Sequence, residues 1–202
     1  MNRTYALPGY TAIALAVLFP IYWVSTLGLG EQSLLDAFIA DLNRVSARDA
    51  LFVLIGVMEI YIYLALRKVL LEHLHGGVPA IMLLLMAIVV GLFHATVLFD
   101  VVLAFTPDLA ESTREALGTT SAVIAISGLF VYTVLASILS IVLLVGKIEL
   151  PPLLKVFAVL LLACCLLQFT VVLGVVNIFL FPVVLLVLAV FFLRGGHEVE
   201  VV

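Results

Sequence analysis

Charge is scarce in this sequence. Only 11% of its 202 residues are Asp, Glu, Lys or Arg, where a soluble globular chain carries about a quarter. Basic residues are the scarcer kind, nine against thirteen acids for a formal net charge of -4, so no phosphate-binding stripe can be assembled and nucleic acid is excluded as a partner. Cysteine is limited to Cys164 and Cys165. Adjacent in an apolar run, they suit neither the spacing of a metal site nor a useful disulfide, and read as small core residues. The catalytic fingerprints G-x-S-x-G and H-E-x-x-H and the phosphate-binding loop are missing. The apolar stretches hold no paired acids for intramembrane proteolysis, no arginine ladder for voltage sensing, no potassium-type carbonyl filter and no lysine placed for a retinal linkage. A haem wants two axial ligands, but only His94 stands in an apolar stretch, His73 and His75 lying in a short connector beside Gly76 and Gly77. No cofactor and no metal are therefore expected. An enzymatic role is disfavoured, because a lone Glu and His without a nucleophile or metal set is a thin basis for catalysis.

What is present is apolar. Hydrophobic residues make up 66% of the chain and the mean hydropathy is +1.40, the composition of an integral membrane protein. One crossing takes about 20 apolar residues at ~1.5 Å rise each. The runs 8–29, 50–71, 78–105 and 119–146 each qualify, and the apolar run from 150 to 193 is long enough for two. It is predicted to be a hairpin of spans 151–172 and 176–194, with Gly174 and Asn177 in the turn and Pro182 kinking the last helix. The first run is too long for a signal peptide and lacks a clean small-x-small cleavage site, so it is expected to be retained. The predicted fold class is an all-α integral membrane protein, one transmembrane domain over 1–202, with six transmembrane helices and two short amphipathic surface helices on the outer side.

Orientation follows from Lys and Arg, which accumulate in cytoplasmic loops. Six spans put Arg3, Arg67, Lys68, Lys147, Lys155 and Arg194 on one side. The other side has Arg44, Arg48 and Arg114, outnumbered by acids that include Glu31, Asp41, Asp108 and Glu115. Both termini are expected in the cytoplasm, across a bacterial-type inner membrane. In the first outer connector Leu34, Leu35, Phe38, Ile39, Leu42 and Val45 recur at helical spacing, predicting a surface helix; Ser46 with Asp49 then resembles a capping box opening the second span. In the second, Thr106 as N-cap, Pro107 as first helical residue and Gly118 as stop predict another.

Candidate functional residues are those whose chemistry sits badly in hydrocarbon. Glu59 and His94 fall mid-span, roughly 13 Å and 16 Å below the predicted outer ends of their helices, and an intramembrane acid needs a partner, a cavity or a function. Facing inward, they are expected to form an ion/proton pathway with Tyr63 one turn beyond Glu59, Asp100 nearer the outer boundary and Tyr132 on the fourth span. That span is rich in small residues. Gly128, Ala136 and Ser140 share a stripe with Tyr132, which predicts close helix packing or an oligomer interface. Gln168 and Asn177 read as interhelical hydrogen bonds and turn formers. Two functions remain open. One is a channel or transporter for an ion or small solute, using a protonatable Glu/His pair. The other is a non-catalytic scaffold or accessory subunit. Expected partners are the lipid bilayer, further copies of the chain, and a membrane or external protein. No internal repeat is evident.

Overall fold

The computed structural model describes residues 3–27, 45–72, 74, 76–146, 150–170 and 172–194. Among them, six helical segments are long and apolar enough to cross a membrane, and no strand is present. We label the helices α1 (Arg3–Leu27), α2 (Ala47–Glu72), α3 (Gly77–His94), α4 (Val97–Phe105), α5 (Glu111–Val145), α6 (Pro152–Phe169) and α7 (Asn177–Arg194). A short 3-10 turn, Val172–Val176, joins α6 to α7.

Helix starts follow side-chain chemistry where it is available. At the head of α2, the Asp49 carboxylate accepts the Ser46 amide at 2.6 Å and the Ser46 hydroxyl accepts the Arg48 amide at 3.1 Å. This reciprocal arrangement is the expected capping box, and it satisfies two amide donors that a helix start leaves open. The amphipathic helix expected over 34–45 lies outside the described residues except for Val45.

The second expected surface helix is corrected by the structure. Thr106 closes α4 instead of opening a helix, its hydroxyl turned back to the Val102 carbonyl, and Gly118 lies inside α5, which continues to Val145. A glycine within a helix costs only about 1 kcal/mol relative to alanine. Flanked by the helix formers Glu115, Ala116 and Leu117, Gly118 does not stop the helix.

The third span is interrupted just after His94. The Thr96 amide bonds Phe93 at 3.2 Å in the tighter i to i-3 pattern, and the Thr96 hydroxyl takes the same carbonyl at 2.7 Å. Such side-chain competition for helix carbonyls divides α3 from α4.

The spans pack as a closed ring in chain order: α1 against α2, α2 against α3, α3 against α5, α5 against α6, α6 against α7, and α7 back against α1. Gly9 makes the closing contact possible, since a Cβ there would stand 2.7 Å from Leu193 Cγ. One end of the ring carries the termini and is called the terminal end; the other is the distal end. Toward the terminal end the interior is filled by fully buried aliphatics, among them Leu15, Leu66, Met86, Leu139 and Leu188. Outward-facing positions such as Val17, Ile81, Ile126 and Phe179 are exposed apolar residues.

Candidate functional site

Toward the distal end the ring interior is not filled. A partly enclosed cavity of about 120 Å³ lies there, lined by all six spans. One wall is aromatic and runs unbroken across four helices. Phe181 of α7 meets Phe19 of α1 with ring centroids 4.9 Å apart, and Tyr22 of α1 stacks on Phe52 of α2 at 5.4 Å. Phe52 in turn meets His94 of α3 at 4.3 Å and Phe93 at 5.4 Å. The facing wall, from α5 and α6, mixes small groups, Gly128, Thr133, Cys164 and Cys165, with the larger Tyr132 and Gln168.

Glu59 lines this cavity and is only 7% exposed. One helical turn on, the Tyr63 hydroxyl donates to Glu59 Oε1 at 2.7 Å, and the same hydroxyl is hydrogen-bonded to that of Tyr132. Tyr132 belongs to α5, so this chain of oxygens crosses the ring between helices that are not ring neighbours. Each phenol carries one proton. With Glu59 ionised, Tyr63 donates to it and Tyr132 donates to Tyr63; with Glu59 protonated, donation runs the other way. The cluster therefore accommodates both protonation states by turning two hydroxyls, with no movement of a helix.

The expected Glu59–His94 pair is not formed. Among the described residues no hydrogen bond or ion pair joins them; His94 Nδ1 bonds the Val90 carbonyl at 2.9 Å, and its ring lies on Gly56. A carbonyl only accepts, so Nδ1 carries a proton. The physical reason is register. Gly91 is level with Ile60 and His94 with Gly56, which offsets the imidazole from Glu59 by three residues, or about 4.5 Å of helix rise. Both side chains nonetheless line the same cavity.

The other sequence-predicted residues divide. Tyr132 and Gly128 line the cavity, whereas Asp100, on α4 beyond the break, does not. Ala136 and Ser140 are fully buried within the chain, and the Ser140 hydroxyl is spent on the Ala136 carbonyl at 2.8 Å. Their stripe is packed by the chain's own neighbouring helices. Asn177 Nδ2 donates to the Cys164 carbonyl at 2.9 Å and to Gln168 Oε1 at 3.0 Å, holding the α6–α7 turn; Gly174 leaves room there for the Gln168 amide, which a Cβ would approach to 3.2 Å. Asn177 Oδ1 is buried without a hydrogen-bond partner among the described residues, on a residue that lines the cavity. No cluster of three or more His, Cys, Asp or Glu suited to a metal ion occurs among the described residues.

Sequence reasoning missed the aromatic wall. The signal was Phe19, Tyr22 and Trp23 at i, i+3 and i+4, one helical face at the depth of Phe52. The tripeptide Leu-Phe-Pro also occurs at 18–20 and again at 180–182, and the ring closure sets its two phenylalanines side by side. Comparison of the chain with protein-family models, curated proteins and solved structures gives no match.

Proposed function

We propose that the protein is a membrane carrier that admits a small solute or ion to the distal cavity and exchanges it against a proton held at Glu59. The observation that supports this reading is the position of Glu59: a carboxyl group in the wall of a cavity at the centre of six membrane-spanning helices, joined to two phenols that serve either protonation state. Intramembrane acids facing a cavity mark substrate and proton pathways. The packed aliphatic half of the ring favours a carrier over an open pore, because a continuous water path would need that half to separate. On the distribution of Lys and Arg we further propose cytoplasmic termini, which turns the cavity toward the opposite side.

Flux in proteoliposomes tests the proposal. Native protein is expected to move protons when a permeating solute gradient is imposed, and Glu59→Gln, of the same shape but unable to exchange a proton, to abolish that coupling. Equal flux in both proteins would remove Glu59 from the pathway. Absence of flux in both, with the variant altered only in thermal stability, would make Glu59 a packing residue of a membrane scaffold.

A further inference from the structure

Resting on the reading of the cavity as a solute site, the geometry points to its ligand class: a small organic cation of the quaternary or alkyl-ammonium type, held against the aromatic wall with Glu59 as counter-ion.

Three observations carry this. First, the wall chemistry is wrong for a bare Ca²⁺ or Mg²⁺ ion, which needs about six oxygen ligands or more to replace its water. Most of the lining residues are apolar or aromatic. Second, the wall suits an alkylated cation. Aromatic faces attract cations electrostatically, and rings surrounding a quaternary ammonium are the recurrent solution for binding one. Here Phe19, Trp23, Phe52, Phe93 and Phe181 meet one another edge to face or tilted while lining the same space that Glu59 lines. Third, size and polarity fit. An engineered apolar cavity of ~150 Å³ takes up benzene, so about 120 Å³ admits a trimethylammonium group rather than a larger drug-like body. Glu59 is the one carboxylate among the lining residues, which suits a ligand of single positive charge.

The chain contains a single tryptophan, Trp23, and it lines the cavity, so its fluorescence reports occupancy. Full-length protein in phosphatidylglycerol nanodiscs would be titrated with choline and with 3,3-dimethylbutan-1-ol, its uncharged carbon isostere, at constant ionic strength. Choline is expected to give a saturable change and the isostere to bind about tenfold or more weakly, because it leaves the Glu59 charge without a counter-ion. Phe52→Leu is expected to weaken choline about two- to fivefold, the size of one exposed cation–π contact.

Lowering pH is expected to weaken choline binding in native protein, since protonation removes the counter-charge, and to leave a residual, pH-independent affinity in Glu59→Gln. The titratable groups around Glu59 are Tyr63 on its own helix, Tyr22 from α1, His94 from α3, Tyr132 from α5, and Cys164 and Cys165 from α6. A His94→Gln variant that keeps the native pH dependence assigns it to Glu59, and one that loses it overturns the assignment.

Phosphatidylcholine nanodiscs distinguish the ligand's source. Loss of the free-choline response there identifies a lipid headgroup as the natural occupant, and persistence identifies a free solute; either supports the ligand class. Equal affinity for choline and its isostere, or no response to choline in phosphatidylglycerol, would overturn it. The outcome is separable from that of the carrier reading. Choline binding without flux refutes transport alone, and coupled flux of another solute without choline binding refutes the ligand class alone.

Discussion

At the residue scale, the buried Glu59 is held, among the described residues, by hydroxyl groups rather than by a cation, and that defines what each hydroxyl does. Removing the Tyr63 hydroxyl strips Glu59 Oε1 of its donor and Tyr132 of its neighbour. An unsatisfied buried acceptor costs about 1–3 kcal/mol, and Tyr63→Phe is expected to lower stability by that much in thermal unfolding of the detergent-solubilised protein. Ser140→Ala provides the contrast. Its hydroxyl bonds its own helix, and alanine's better helix propensity offsets the lost bond, so the change is expected to cost less than about 1 kcal/mol. A Tyr63→Phe variant as stable as the native protein would show that the carboxyl group does not depend on the phenol. Glu59 and His94 were legible in the sequence because a titratable group stands out against apolar neighbours, and Tyr63 followed from i, i+4 spacing. The aromatic wall was not legible. Phenylalanine and tryptophan are ordinary in a span, and nothing in one helix says which face a neighbour will cover.

At the element scale, glycine decides how closely α2 and α3 approach. A Cβ on Gly56 would sit 2.4 Å from His94 Cγ, near the imidazole's own backbone where no flexible end can give way. Gly56→Ala is therefore expected to force the helices apart at a cost of about 1–3 kcal/mol, and to disturb the cavity wall, readable as a shift in Trp23 emission. Gly77→Ala meets nothing within 4 Å and is expected to be neutral or slightly stabilising by the same measurements; equal behaviour of the two variants would contradict the packing described. The existence of six helices long and apolar enough to cross a membrane was legible from length and hydropathy, as was the α2 cap from Ser46 and Asp49. The break after His94 was not, because it arises from Thr96 and His94 competing for carbonyls whose availability only the folded helix defines. Gly118 misled for a related reason: its stop signal is real but weak, and the residues around it prefer helix.

At the scale of the whole molecule, the ring is what gives Glu59 its setting. Short connectors make chain neighbours into packing neighbours, but closure of α7 onto α1 depends on side-chain complementarity such as Gly9 with Leu193, which hydropathy does not encode. Closure creates an interior with two unlike halves. Leu15, Leu139 and Leu188 seal one, and the other keeps the cavity. Introducing bulk at the closing contact, as in Gly9→Leu, is expected to lower thermal stability by about 1–3 kcal/mol and to raise thiol reactivity of Cys164 and Cys165, which line the cavity. Unchanged reactivity would mean that the ring tolerates opening at α1 and α7.

The most direct test places a reporter at the acid itself. Glu59→Cys, in a background with Cys164 and Cys165 replaced by alanine, would be exposed in sealed proteoliposomes to a membrane-impermeant thiol reagent applied to one face at a time. The expected result is labelling from the face that carries the distal end, slowed by choline, with a Leu188→Cys control unreactive from that face. A cysteine at position 59 that stays unlabelled from both faces would contradict the claim that Glu59 stands in the wall of a reachable cavity.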